Sequence, residues 1–365
     1  MTAKKLRLAV FAYCAICVGA RVALAQEADS GFDLRATLTA QSIASSDLTV
    51  APRSGAPLSI GSRSVAYPTW KVNENFFFNG TVQLITHPYY FEHLRTPGYG
   101  VKGSILQASL NYSRVSSNGS LLLRAGELTT AFGSFLLRYD DVDNALIDLP
   151  LEYGYYYSPV SILPVAGAQI DVTRGKWDAR LQFANSSPAN PRGPFSSGQY
   201  GNWAGGAGYT IRQGLHIGAS AYHGPYLESG HKYYYPGEVS PSRLPANAFG
   251  IDVSWAHRHT VAQGELQKFV MPYTLIPKFR ETAGYGELRQ VLAPRWFVAT
   301  RYGVSTTSAA GQVQNLEASV AFRPDRFQLI KVGYELEHHS QKPNANDQML
   351  AIQFVTTIHK SLTRQ

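Results

Sequence analysis

Few residues in this chain have the types and spacing to do chemistry. His338, His339 and Ser340 stand together and superficially suggest a nucleophile beside a base. They open a loop, and the Asn-Gly context of an outer-membrane phospholipase is missing. His257 and His259 flank a tight turn with no third convergent ligand, so no metal site is expected there. Asp140, Asp141 and Asp143 lie close together, but the glycine and terminal glutamate of a calcium-binding loop are absent. Gly205-Gly206-Ala207-Gly208 lies in an extended segment with no helix after it, a poor context for cradling phosphate. The expectation is a protein that is not an enzyme and uses no cofactor or metal.

What remains is a set of charges at alternate, polar positions of extended segments: Arg124, Asp178, Arg180, Glu287, Arg289, Arg301, Lys331 and Glu335. In an extended chain that spacing places side chains on one face. The opposite face is greasy. Leu316, Ala318, Val320 and Phe322 alternate with Glu317, Ser319, Ala321 and Arg323, and Pro324-Asp325 then marks a turn. Ile330, Val332, Tyr334 and Leu336 alternate with Lys331, Gly333, Glu335 and Glu337, and the segment Leu350–His359 repeats the pattern.

The same hairpin unit recurs upstream around Ser117-Asn118-Gly119, Arg174-Gly175, Arg212-Gln213-Gly214, Arg258-His259 and Ala293-Pro294. Longer connections join one pair to the next, at about 129–164, 186–201, 224–246, 271–279, 306–312 and 339–346. With strands near Phe32–Ile43, Arg63–Trp70 and Phe76–Pro88, the count is 16, with 14 and 18 also compatible. Pro68 is the weak point, because proline cannot donate to a ladder. Strands of 9 to 13 residues, with short turns at one end and long loops at the other, are the pattern of an antiparallel transmembrane β-barrel. The greasy face then meets outer-membrane lipid. Charge on that face costs about 2–4 kcal/mol for Arg or Lys at mid-membrane, so the charged set is expected to face the lumen wall. Tyr89-Tyr90-Phe91, Tyr153, Tyr155–Tyr157, Tyr233–Tyr235 and Trp296-Phe297 are candidates for interfacial aromatic girdles.

Composition agrees. Only 16% of residues are charged, while Gly (32) and Tyr (22) are abundant, which argues against an ordinary soluble domain. No apolar run after residue 25 approaches the roughly 18 residues of a spanning helix, so a membrane must be crossed by strands closed on themselves. Residues 1–25 read as a secretory signal peptide: Lys4, Lys5 and Arg7, an apolar stretch from Leu8 to Ala20, then Ala23-Leu24-Ala25. The barrel domain is 26–365. Cys14 and Cys17 leave with the signal, and the mature chain carries 29 basic and 25 acidic residues, scattered. That balance points to no nucleic-acid partner. Both chain ends are expected on the short-turn, periplasmic side, in the bacterial outer membrane.

The longest connection, 129–164, follows the segment Leu123–Phe135, LRAGELTTAFGSF. This stretch resembles the R-x-G…FG strand-and-loop element of porins of the phosphate-selective O/P type. The resemblance implies a passive channel for small hydrophilic solutes or ions, and a loop that folds inward to narrow it. It also makes a homotrimer the assembly to test. Arg138, Asp140, Asp141 and Asp143 are then the candidate constriction residues, since charged rings set pore selectivity. The Lys and Arg ladders of a phosphate-selective channel are not evident. A second reading is a non-porin barrel, an export channel or an adhesin, whose loops 129–164 and 224–246 bind a ligand or partner.

Overall fold

The computed structural model describes residues 31–46, 58–91, 100–154, 164–185, 187, 201–226, 236–239, 244–309, 311–341 and 346–363. The signal segment 1–25 and the tyrosines 155–157 and 233–235 lie outside them.

Alternation of apolar and polar residues gives sixteen strands. They are β1 (Gly31–Ser45), β2 (Leu58–Lys71), β3 (Phe76–His87), β4 (Gly100–Ser116), β5 (Gly119–Leu128), β6 (Val165–Arg174), β7 (Trp177–Ala184) and β8 (Asn202–Arg212). The second half comprises β9 (Leu215–Gly224), β10 (Ala246–His257), β11 (Thr260–Met271), β12 (Phe279–Ala293), β13 (Trp296–Thr307), β14 (Gly311–Phe322), β15 (Gln328–His339) and β16 (Asn346–Thr363). Each pairs antiparallel with its neighbours in sequence, and β1 pairs β16 from Gly31↔Thr363 to Ser45↔Met349, so the barrel is closed. Closure leaves no unpaired sheet edge, the requirement for spanning lipid with strands.

The two faces separate as their chemistry demands. On β16, Leu350, Ile352 and Phe354 are exposed outward while Ala351, Gln353 and Val355 are buried inside. Left-handed residues close the tight turns: Gly175, Gly214 and the non-glycine Arg258, at φ 52°. Pro68 is accommodated inside the sheet. The β2–β3 register passes from Ala66↔Val82 to Thr69↔Asn79 across it, and Gly80 opposite leaves room, since a Cβ there would lie 3.0 Å from the proline Cγ.

Outward ring pairs mark both rims. Trp177–Tyr209 and Trp296–Phe322, each at 4.6 Å, stand at the short-turn end, and Phe183–Trp203 at 4.7 Å at the other. Tyr89, Tyr90 and Phe91 do not join a girdle. They are buried with Ile43, Ile85, Leu106 and Tyr139 in clusters against the long β5–β6 loop. Period-two patterning does not extend past the end of β3, so it gave these rings no face.

Candidate functional site

The β5–β6 loop enters the bore at once. Ala131 N–H donates to Gln182 Oε1 at 3.0 Å, and Gln182 Nε2 returns a bond to the Thr129 carbonyl at 2.8 Å. Arg180 donates to the Gly133 carbonyl, and Gly133 N–H to Ser220 Oγ. A single 3₁₀ turn follows at Phe135–Arg138. Phe132 and Phe135, both fully buried, pack with Tyr222, Phe269, Tyr285 and the loop's own Tyr153. Ser134 Oγ and Tyr153 Oη both donate to Glu265, at 2.9 and 2.7 Å. An apolar inner wall on β8–β12 thus buries the loop's first turn.

Beyond it the loop is tied first to β12 and then, across the bore, to β1 and β2. Arg138 reaches Glu287 Oε1 at 3.1 Å and Tyr285 Oη at 2.7 Å. Asp140 accepts from Thr37 at 2.8 Å and from Tyr67, and Asp141 accepts from Thr39 at 2.8 Å and Tyr89 at 3.0 Å. Arg63, buried on β2, lies 3.1 Å from Asp141 Oδ1 and also binds Gln83, the Tyr90 hydroxyl and the Tyr139 carbonyl. Asp143 meets Arg35 at 3.5 Å and is half exposed.

The third anchor lies on β13–β15. Lys331 donates to the carbonyls of Asp141, Asn144 and Leu146 at 2.9, 3.1 and 2.9 Å. Glu317 accepts the N–H groups of Ile147 and Asp148, at 2.8 and 3.1 Å. Arg301 bridges Glu287 and Glu317 and donates to the Asp148 carbonyl at 2.7 Å. Ser319 donates to the Ala145 carbonyl, and Leu146 packs on Phe297, Ala321, Leu329 and Val355. Burial, and then the neighbouring Glu317, push the Asp148 carboxyl up to about 7. Burial likewise pushes Glu152 well above the carboxylate range, with Glu265 adding to it. Among the described residues no other group is hydrogen-bonded to either Glu152 oxygen, and a neutral carboxyl tolerates that better than a carboxylate.

The eight wall charges all project inward, but into two different settings. Glu287, Arg301, Lys331 and Glu335 are covered by the loop, with relative exposures of 4%, 0%, 0% and 1%. Parity places them on the lumen face, and there the loop, not water, covers them. Arg124, paired with Asp171 at 2.9 Å, is a quarter exposed, and Asp178, paired with His216 at 2.8 Å, is half exposed. Arg180 is partly exposed beside the loop entry. Arg289 lies 5.3 Å over the Phe297 ring, its Nε without a hydrogen-bond partner among the described residues. Of the four loop residues, Arg138 and Asp143 keep access to the bore, while Asp140 and Asp141 turn to the wall. Their partners, Thr37, Thr39, Arg63 and Tyr67, carry no local signal that would pair them with a loop a hundred or so residues away. His338 and His339 diverge: His338 bonds Asn346 at the surface, and His339 turns inward to Glu337 and Asp347.

No family model matches the chain, and no curated protein matches it. Solved structures do. Outer-membrane expressed OmpT of Vibrio cholerae aligns over 92% of this chain and all of its own, at 10% identity and a TM-score of 0.58. Salmonella typhi OmpF, solved in complex with daunomycin, aligns over 90% of this chain and 97% of its own, at 10% identity and 0.59. An anion-selective porin from Comamonas acidovorans aligns over 90% and 100%, at 9% and 0.56.

The fold is the porin-like outer-membrane β-barrel. At such identities the likeness is one of architecture and carries no information about the charges described above.

Proposed function

We propose that this protein is a porin of the bacterial outer membrane, a passive channel for small hydrophilic solutes or ions. One observation carries the reading. The β5–β6 loop is bonded inside the closed barrel on β7, β9, β11–β15 and β1–β3, yet charged side chains on β5–β7 and the His216 imidazole on β9 stay open to water. A bore narrowed but not lined entirely by apolar packing suits hydrated solutes. In this reading Arg138 and Asp143 edge the constriction, while Asp140 and Asp141 fasten it. Short turns and both ends of the chain face the periplasm, and no step requires a catalyst or cofactor.

Purified protein in planar bilayers should give stable, stepwise open-channel currents in KCl. A complete absence of conductance removes the pore reading. The resemblance to the phosphate-selective O/P type rests on Leu123–Phe135, and block of the KCl current by added phosphate tests it. The homotrimer is part of the same proposal; a neighbouring structure of Vibrio cholerae OmpT is described as a trimer form. Mass measurement in detergent tests it.

A further inference from the structure

The loop treats two nearby stretches of the inner wall very differently. On β12–β15, Glu287, Arg301, Glu317 and Glu335 are registered across four strands and fully covered. On β7–β10 a second row reads Asp178, Gly208, Gly218, Asp252. It lies just below the residues that bind the loop entry, Arg180 and Ser220. The Asp178 side chain is 46% exposed and that of His216 31%.

The two glycines have a physical reason. A Cβ on Gly208 would lie 2.3 Å from His216 Nε2 and 2.8 Å from Asp178 Oδ2, and one on Gly218 would lie 2.5 Å from Asp252 Oδ2. The acids and the imidazole therefore lie back over side-chain-free backbone instead of standing into the bore. One row higher, Gly206, Ser220 and Gly250 are small as well, beneath Phe132. The inner side chains are smallest where the loop first intrudes. The nearby cations are engaged, Arg180 with the Gly133 carbonyl and Arg124 with Asp171. Arg289 and Arg323 stand on the far arc, near Asp143.

From this geometry we infer that solutes cross beside the loop's first turn, along β5–β7, and that Asp178 and Asp252, in the row below that turn, are the specificity-determining residues that draw small cations into this path. The inference rests on the pore reading and adds the path and the favoured charge. Carboxylates on a water-accessible wall raise local cation concentration, and covered ones do not.

The test is ion selectivity under a KCl gradient, with thiol labelling as a second arm. Asp178→Asn combined with Asp252→Asn should move the K⁺/Cl⁻ permeability ratio at least twofold toward chloride. Both native cysteines, Cys14 and Cys17, precede the barrel. With those replaced by Ser, Asp178→Cys labelled with a bulky methanethiosulfonate should lose more than half its current. An unchanged ratio, or a labelled Cys variant with undiminished current, overturns the path while the native current still supports a pore. No native current overturns the pore reading itself.

Discussion

Lys331 Nζ donates to the main-chain carbonyl of Asp141 at 2.9 Å, joining β15 to a loop 190 residues earlier in the chain. The same ammonium also satisfies the carbonyls of Asn144 and Leu146, so the loop wraps a protein cation much as a turn wraps a bound ion. Removing it strands three buried acceptors. Each unsatisfied buried group costs about 1–3 kcal/mol. Lys331→Met is expected to leave the barrel closed but free the loop, giving larger, noisier single-channel currents and new protease cuts between 139 and 147. Native-like noise and an intact loop would show that the cage does not hold it.

Arg63 and Asp141 form a buried pair, each with no more than 1% of its side chain exposed. Removing one partner of such a pair costs about 3–5 kcal/mol, because the other charge is left uncompensated. The double variant Asp141→Ala, Arg63→Met should therefore lower the urea midpoint less than the sum of the shifts caused by Asp141→Ala and Arg63→Met alone. A double-mutant cycle measures this, and strict additivity would sink the pairing.

Asp148 yields a pH prediction. Its carboxyl is held up to about 7, chiefly by burial and then by Glu317. An unfolded Asp titrates near about 3.9. Between those values the folded state binds the extra proton, so the contribution to stability is full in acid and is lost as pH rises toward 7. Asp148→Asn has no such loss. The stability of the variant relative to the native chain should be level below about pH 4 and then move in the variant's favour up to neutrality. A pH-independent difference would contradict it.

Ile352 and Gln353 are adjacent on β16 and face opposite media, lipid and bore. Ile352→Arg should cost about 2–4 kcal/mol of folding free energy in phospholipid vesicles if that position lies near mid-membrane. Equal folding of Ile352→Arg and native chains would reverse the assignment of faces.

The sequence by itself determined the barrel. Period-two alternation, turn residues and the lengths of the connections are local properties, and they yielded sixteen strands, even with Pro68 in β2. They also set which face each charge takes, because a one-residue slip would turn every greasy residue to the wrong side. Tertiary structure alone decided what lies over the inner face. Tyr89, Tyr90 and Phe91 look like rim aromatics in one dimension and are core in three. Lys331 and Asp178 carry the same kind of signal, a charge on the polar parity of an alternating segment. Lys331 is sealed beneath the loop and Asp178 is open to water. The difference lies in the path of a segment whose anchors, Arg63, Arg301, Glu317 and Lys331, sit some 80 to 190 residues away in sequence. Hydrogen bonds of that range have no periodicity, so only the closed barrel brings the partners together.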